Sequence, residues 1–142
     1  MTHLTEAQID RAIGVLLGSA VGDALGAGYE FAAVSPTLIP GMIGGGLGDF
    51  APGEWTDDTS QAVAIAQVVA LGEDLRTPVA LDSIAEGFAR WYAGDPADVG
   101  THTAAVLSLA GAAASGREMA AAAREVHERT GRSAGNGSLM RT

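Results

Sequence analysis

Three consecutive side chains, Thr56, Asp57 and Asp58, carry oxygen atoms that could bind a cation. One hydroxyl and two carboxylates are hard ligands, suited to Mg²⁺, Mn²⁺ or Ca²⁺ rather than to zinc or copper. Adjacent carboxylates repel each other, and a helix N-terminus or a bound cation relieves that repulsion. The alternative is that Thr56 or Asp57 simply caps a helix, since threonine and aspartate are ordinary N-cap residues. Spacing alone favours the cap.

The run that follows, from Thr59 to Leu71, is apolar on nearly every side. Such a pattern predicts a helix buried centrally in a bundle. Its N-terminus would then lie deep in the protein, where two neighbouring carboxylates cannot both stay ionised without a cation. The predicted burial therefore shifts the balance towards a metal site.

A first helix is predicted from about Glu6, because Thr5 and Gln8 form a capping box ahead of apolar residues at helical spacing. The carboxylate of Asp23 lies among small residues of this helix and needs a partner there if it is buried. Asp23 could equally end the helix, and Glu30 could lie in solvent. Glycine also recurs at every fourth position, which would let another helix pack closely or would give access to a site: Gly14, Gly18, Gly22 and Gly26.

The rest of the chain is predicted to form one long loop followed by more helices. Residues 32–53 are rich in glycine and proline, which predicts a functional loop, but no Gly-Lys-Ser/Thr follows the glycines as it does in a P-loop. Thr77 and the proline after it predict a third helix, in which Trp91 and Tyr92 are more typical of core residues than of nucleotide-stacking residues. Two more helices are predicted at about 101–114 and 116–129.

The last residues, 131–142, form a second glycine-rich segment. Its backbone N–H groups and the side chains of Asn136 and Ser138 could cradle a phosphate or a sugar. Leu139 and Met140 are then expected to begin another helix.

Composition limits the class of protein. The 142 residues include no cysteine, so one domain with its own core is expected, without disulfides or zinc-thiolate sites. A formal net charge of -9 argues against binding to a nucleic-acid backbone. The N-terminus shows no secretory signal, and the longest apolar run, from Ala12 to Gly22, is too short to cross a bilayer. We therefore expect a cytoplasmic protein without a membrane partner, and the many small residues favour an all-α fold.

Three segments in this order resemble the ADP-ribosylglycohydrolase family. They are GSAVGDALG at 18–26 running on to Glu30, PGEWTDDT at 52–59, and GNGSLMR at 135–141, with Asp98-Val99-Gly100 between the last two. The resemblance implies a compact all-α, multi-helix orthogonal bundle, of which residues 1–142 would be the N-terminal portion of a single domain. The implied activity is metal-dependent hydrolysis that releases ADP-ribose from a modified acceptor at its anomeric carbon.

The resemblance also implies roles for individual residues. Thr56, Asp57 and Asp58 would supply ligands to a pair of Mg²⁺ or Mn²⁺ ions, and Glu30 would position or activate the reacting group beside Asp57 and Asp58. ADP-ribose or an ADP-ribosylated substrate would be the ligand. Its predicted contacts are Asp98, Gly100, Gly135, Asn136, Gly137 and Ser138.

The sequence departs from the family in one respect, because no later Asp-x-Asp-Thr-type segment follows Asp98 to complete the metal pair. Three ligands from one segment are too few for a hard cation that takes about six oxygens. The hypothesis is that a second chain carries the C-terminal half and the remaining ligands. Two alternatives are a non-catalytic ADP-ribose-binding module and a structural protein that reuses the fold.

Overall fold

A computed structural model describes residues 4–141 and shows an all-α protein, which confirms the predicted fold class. The first three residues, on which the prediction about a secretory signal partly rests, and Thr142 lie outside the described residues. Within the described range there is no β-strand, only an isolated bridge between Gly45 and Phe50. The helices are α1 (Glu6–Gly26), α2 (Asp57–Ala70), α3 (Pro78–Ala93), α4 (Thr101–Ala110), α5 (Gly116–Thr130) and α6 (Gly137–Met140).

The predicted capping box begins α1. The Thr5 hydroxyl accepts a hydrogen bond from the Gln8 backbone N–H at 3.3 Å, and the Gln8 side chain accepts one from the Thr5 N–H at 2.8 Å. Helix α1 contacts α2 through its C-terminal end, where Ala24 is buried, whereas residues 4–19 are exposed throughout. No described atom lies within 4 Å of a Cβ built on Gly14, Gly18, Gly22 or Gly26. The helix predicted to pack on these glycines is therefore not among the described residues.

The segment Glu6–Tyr29 is long and apolar enough, by length and composition alone, to cross a membrane. The sequence-based prediction considered only the apolar run from Ala12 to Gly22, and the helix extends beyond this run on both sides. Core helices and signal sequences can have the same length and composition, so the absence of a membrane partner stays a prediction.

A short 3₁₀ helix, Ala27–Tyr29, follows α1, and the long loop at 32–53 then has no helix or strand, as predicted, but it is held by specific contacts. The Tyr29 hydroxyl accepts a hydrogen bond from the Gly41 N–H and donates one to the Gly41 carbonyl, each at 3.1 Å. Gly44 has a φ of +66°, and a Cβ there would collide with the carbonyl oxygen of Phe50. Glycine is thus required where the loop folds back on itself.

The main core lies between α3, α4 and α5. Trp91 and Tyr92 pack against it, which confirms that they are core residues. Helix α4 ends at Ala110, four residues before the predicted end at Ala114, because Gly111 adopts a φ of 82° that an α-helix cannot continue. The buried members of this cluster are Ala85, Ala89, Leu107, Ala114 and Met119.

The prediction that α2 is buried on all sides was wrong for the described residues. Its buried positions are Thr59, Gln61, Ala64 and Val68, whereas Val69 and Leu71 are 50% and 75% exposed. The physical reason is that α2 packs on α3, on the end of α1 and on α6, and these contacts leave part of its surface uncovered. Gln61, Ala64 and Val68 form one stripe at helical spacing, whereas Thr59 is buried on the opposite side, where its hydroxyl donates to Asp23.

Candidate active site

Asp23 fixes the N-terminus of α2. Its carboxylate accepts hydrogen bonds from the backbone N–H groups of Thr56 and Thr59, both at 3.0 Å. It also accepts from the hydroxyls of Thr56 and Thr59, at 2.8 and 2.6 Å. Asp23 thus has the partners that its position in a helix of small residues requires, and it satisfies donors that a helix N-terminus leaves without intrahelical acceptors.

Thr56 is the N-cap of α2, as the simpler interpretation of the sequence predicted. Its hydroxyl oxygen accepts a hydrogen bond from the Asp58 backbone N–H at 3.3 Å while donating to Asp23. A hydroxyl has two acceptor lone pairs, so one remains that could bind a cation. Capping and metal ligation by Thr56 are therefore compatible.

The start of α2 faces α1 across a cleft of about 460 Å³. Gly18, Gly22 and Gly26 line the α1 side, where their missing side chains leave the carboxylates accessible. This placement supports the access interpretation of the glycine pattern. The polar lining comprises Ser19, Asp23, Tyr29, Glu30, Thr56, Asp57, Asp58 and Asn136.

Burial and mutual repulsion raise the pKa values of three carboxylic acids in this cleft, Glu30, Asp57 and Asp58. Burial, followed by the charges of Asp58 and Asp98, raises the pKa of Asp57 from 3.8 to about 6, against a hydrogen bond from the Gly100 backbone that lowers it. Burial and then the charge of Asp23 raise the pKa of Asp58. For Glu30, burial again comes first, followed by Asp98, Asp58 and Asp23. The site therefore concentrates negative charge that a cation would neutralise.

We expect the chain without metal to be more stable at pH 5 than at pH 7. Asp57 binds a proton more readily when folded, so its contribution to stability is present at low pH and is lost as the pH rises from about 4 towards 6. After discounting for partial solvent exposure, the difference should be about 1 kcal/mol, or a few degrees in melting temperature. Thermal unfolding of the chain and of Asp57→Asn checks this: the variant should show a flatter pH dependence, and an unchanged profile would contradict the raised pKa.

The residues of the cleft have the type of donor atom that a hard cation prefers, but they provide too few such atoms to complete its coordination. Thr56, Asp57 and Asp58 offer only oxygen ligands, as Mg²⁺ and Mn²⁺ prefer. Yet within residues 4–141 no group of three His, Asp or Glu side chains is arranged so that it could hold a metal ion. One oxygen of Asp57 is also occupied by a hydrogen bond from the Gln61 side-chain amide at 3.2 Å. A complete coordination sphere needs donors beyond those described here.

The structure brings the site residues inferred from the resemblance into adjoining cavities. Glu30, Thr56, Asp57 and Asp58 line the cleft described above, and Asn136 lies at its edge. Asp57 also lines a neighbouring cavity of about 230 Å³ together with Gly100 and the 135–138 segment, which includes Gly135, Gly137 and Ser138. Asp98 lies near Asp57 in a third hollow. The Gly100 backbone hydrogen-bonds Asp57, so Gly100 has a structural contact besides its predicted contact with substrate.

Sequence reasoning missed Gln61, His102 and Arg141. His102 and Arg141 line the same cavity as Gly135. Gln61 is the most deeply buried large side chain of the described residues and contacts Asp57. A polar residue on the buried stripe of an apolar helix was the available signal for Gln61, and the position of Arg141 directly after the 135–140 segment was the signal for Arg141.

Comparison with known proteins gives one consistent result. Residues 4–142 match the ADP-ribosylglycohydrolase family. The chain is 42% identical over 93 residues to an ADP-ribosylarginine hydrolase of Pseudomonas putida, covering 64% of this chain and 24% of that protein. It is 43% identical over 98 residues to the ADP-ribosyl-[dinitrogen reductase] glycohydrolase of Rhodospirillum rubrum, covering 64% of this chain and 31% of that protein.

A solved structure described as an ADP-ribosylglycohydrolase-related protein complex has a TM-score of 0.53 and 32% identity, covering 93% of this chain and 40% of that one. The fold, the acidic cleft and the family match agree, and the chain belongs to the ADP-ribosylglycohydrolase family. The matches span between a quarter and a third of the lengths of the two bacterial relatives named above.

Proposed function

We propose that this chain carries part of the active site of a metal-dependent hydrolase that releases ADP-ribose from a modified acceptor. The observation that supports this most is the meeting of Glu30, Asp57 and Asp58 in one acidic cleft, with Asn136 of the 135–138 segment at its edge. The relatives are described as hydrolases of ADP-ribosylated arginine or ADP-ribosylated dinitrogen reductase, which gives the substrate class.

Thr56, Asp57 and Asp58 would hold Mg²⁺ or Mn²⁺, with a pair of ions in the complete site. Such ions supply Lewis-acid polarisation and lower the pKa of a bound water. Burial and neighbouring carboxylates raise the pKa of Glu30, which suits a group that exchanges a proton with the reacting groups. The carboxylates would stabilise positive charge that develops at the anomeric carbon as the glycosidic bond breaks.

The neighbouring cavity suits the remainder of ADP-ribose. Gly100 and the 135–138 segment line it, with Asp98 in the next hollow. Backbone N–H groups of this glycine-containing segment would bind phosphate oxygens, and the Asn136 and Ser138 side chains would add polar contacts. Asp98 would accept hydrogen bonds from ribose hydroxyls.

The missing metal ligands would come from polypeptide beyond these 142 residues, either covalently continuous or in a second chain. We propose that this polypeptide is the helical remainder of the family's domain and that it packs on α1. The chain covers 40% of the related solved chain, so a large remainder exists in that relative. The exposed surface of α1 provides a second, independent argument.

The accessible surface of the chain is 9470 Å², whereas a compact monomer of 14.3 kDa exposes about 6,800 Å². The excess of roughly 2,700 Å² is as large as one side of an obligate interface. Helix α1 contributes to it, since Ile13, Val15 and Leu17 are 51–65% exposed. A helix without packing on its apolar side is marginal in water, so the exposed part of α1 is expected to need a covering partner.

A protein partner explains α1 better than a lipid bilayer does. Asp23 is bound to the start of α2 through its carboxylate, so this end of α1 belongs to the polar cleft. Asp10 and Arg11 lie near the other end of the same helix. A spanning helix would place one of these charged regions at a costly depth.

Leu17→Glu is expected to leave the unfolding free energy of the isolated chain within about 0.5 kcal/mol, because Leu17 is 62% exposed. The same change should weaken association with the remaining part of the Rhodospirillum rubrum relative, produced as a separate polypeptide, by at least about tenfold, because it places a charge in an apolar interface. Leu71→Glu, 75% exposed at the other end of α2, is the matched control. Light scattering that shows a dimer of the chain alone, dissolved by Leu17→Glu, would identify a second copy as the partner instead.

The proposed activity can be tested on a chimera of this chain and the part of the Rhodospirillum rubrum protein outside its matched region. With Mg²⁺ or Mn²⁺ present, the chimera should release free ADP-ribose from an ADP-ribosylated protein, and a chelator should abolish the release. An incomplete ligand set within residues 4–141 also suits a non-catalytic ADP-ribose-binding module. ADP-ribose binding without release by the chimera would favour that alternative.

A further inference from the structure

Gln61 lies between the acidic cleft and the C-terminal segment and contacts both. Its side chain is 1% exposed. The amide nitrogen donates a hydrogen bond to Asp57 Oδ2 at 3.2 Å, and the amide oxygen accepts one from Arg141 Nη1 at 2.6 Å. The two contacts join residues that are separated by more than eighty positions in the sequence.

Arg141 reaches Gln61 because the end of the chain folds back beneath the 135–140 segment. Its guanidinium lies over the ring of Phe88, with the central carbon 5.4 Å from the ring centroid. A Cβ built on Gly137 would lie 2.7 Å from Arg141 Nη1, so the absence of a side chain at Gly137 makes room for the guanidinium. The position of the segment predicted to bind ADP-ribose is thus tied to the position of Arg141.

A polar side chain at this depth is costly unless both ends are hydrogen-bonded. Ala64 and Val68 on the same buried stripe show that apolar side chains fit there. An apolar residue at position 61 would leave both an Asp57 oxygen and the half-buried Arg141 without this partner. The Gln61 amide forms a hydrogen bond with each of them, because its nitrogen donates to Asp57 and its oxygen accepts from Arg141. Exchanging the positions of the amide nitrogen and oxygen would break both hydrogen bonds.

We propose that Gln61 is a positioning residue that sets the orientation of the Asp57 carboxylate and the placement of the 135–141 segment together. The role of Gln61 in catalysis rests on the proposed hydrolase function. The structural coupling of Asp57 to the 135–141 segment through Gln61 does not depend on that function. The substrate-binding segment would then keep a fixed distance and orientation relative to Asp57. Attack on a bound glycosidic bond requires such a fixed geometry.

Amide hydrogen exchange in the isolated chain tests the coupling without metal or substrate. Gln61→Met, which keeps the approximate volume, should speed exchange of the 135–141 amides about tenfold relative to those of α3. Gln61→Glu retains an acceptor for Arg141 and should keep exchange in the segment slow. Gln67→Met, the same substitution at an exposed position of α2, should change nothing.

The combination of Gln61→Met and Arg141→Met distinguishes coupling from general destabilisation. If Gln61 acts through Arg141, the double variant should exchange no faster in this segment than either single variant. Additive effects, or a lower melting temperature with unchanged relative exchange at 135–141, would overturn the proposal. Should Gln61→Met fail to fold, Arg141→Met alone decides it, because that change must also speed exchange in the segment.

The chimera provides the readout on function. Gln61→Met should raise KM and lower kcat, since both the segment and Asp57 lose their common partner. Gln61→Glu keeps the segment in place but adds a carboxylate beside Asp57, so it should lower kcat with little change in KM. Equal kinetics for all three proteins would contradict the catalytic part of the proposal. An inactive chimera would count against the proposed function and leave the exchange result to decide on the coupling.

Discussion

Alanine in place of Asp23 is expected to destabilise the chain by about 3–5 kcal/mol. The change removes the acceptor of four hydrogen bonds at the start of α2. Thr59 is 4% exposed and Thr56 is 8% exposed, so water cannot readily replace the lost carboxylate. Each buried donor left without an acceptor costs about 1–3 kcal/mol, and partial relaxation reduces the total.

Urea unfolding measures this effect, with Asp10→Ala on the exposed part of α1 as the matched control. Asp23→Asn should fall between Asp23→Ala and the unchanged chain, because an asparagine keeps one oxygen acceptor in nearly the same volume. A loss below about 1 kcal/mol for Asp23→Ala would mean that the start of α2 does not depend on this carboxylate. It would also contradict the assignment of Asp23 as the residue that holds Thr56 in place.

Asp58→Asn is expected to lower kcat of the active chimera by about a thousandfold or more. The proposed site has few oxygen donors, and loss of one carboxylate removes part of the several kcal/mol of charge stabilisation that a bound cation supplies. The isolated chain should respond in the opposite direction. Because burial and Asp23 raise the pKa of Asp58, Asp58→Asn should increase stability at pH 7 in the absence of metal.

A substitution that lowers kcat but raises stability indicates a carboxylate that serves function, whereas one that lowers stability indicates a carboxylate needed for folding. The comparison requires kcat of the chimera and the melting temperature of the isolated chain, with Glu73→Gln, in the exposed turn after α2, as the control. A stabilised variant that also retained its kcat would show that Asp58 takes no part in catalysis. A destabilised variant would show that Asp58 is needed for folding.

Local sequence patterns predicted most of the helices. The capping box at Thr5, the Thr77-Pro78 start and the helix predicted at about 116–129 each placed a helix within a residue of its observed beginning. These signals are local because cap residues bond backbone groups within the same turn. The end of α4 was misplaced, since apolar spacing continues past Gly111 although its backbone conformation does not.

Long-range contacts were harder to predict. The need of Asp23 for a partner followed from its small neighbours, but nothing local indicated that the partners would be Thr56 and Thr59, more than thirty residues away. The burial of α2 was overestimated because an apolar pattern does not tell which polypeptide covers it. The exposed apolar side of α1 shows the same limit, since its proposed partner lies outside the described residues.

The site residues came mainly from the family resemblance rather than from spacing. Spacing alone favoured a cap at Thr56, and the structure shows that cap. The raised pKa of Asp57 depends on the approach of Asp98 and on burial, neither of which is visible in the motif itself. Gln61 was missed because its importance comes from two side-chain hydrogen bonds, to Asp57 and to Arg141, and the second joins residues far apart in the sequence.

Anomalous diffraction from crystals of the chimera grown with Mn²⁺ and ADP-ribose would locate the metal ions relative to the bound ligand. We expect manganese peaks in contact with Asp57 and Asp58, with the distal ribose beside them and the diphosphate along the 135–138 segment. Peaks at any other place, or ADP-ribose bound in this cleft with no manganese at Asp57 and Asp58, would contradict this expectation.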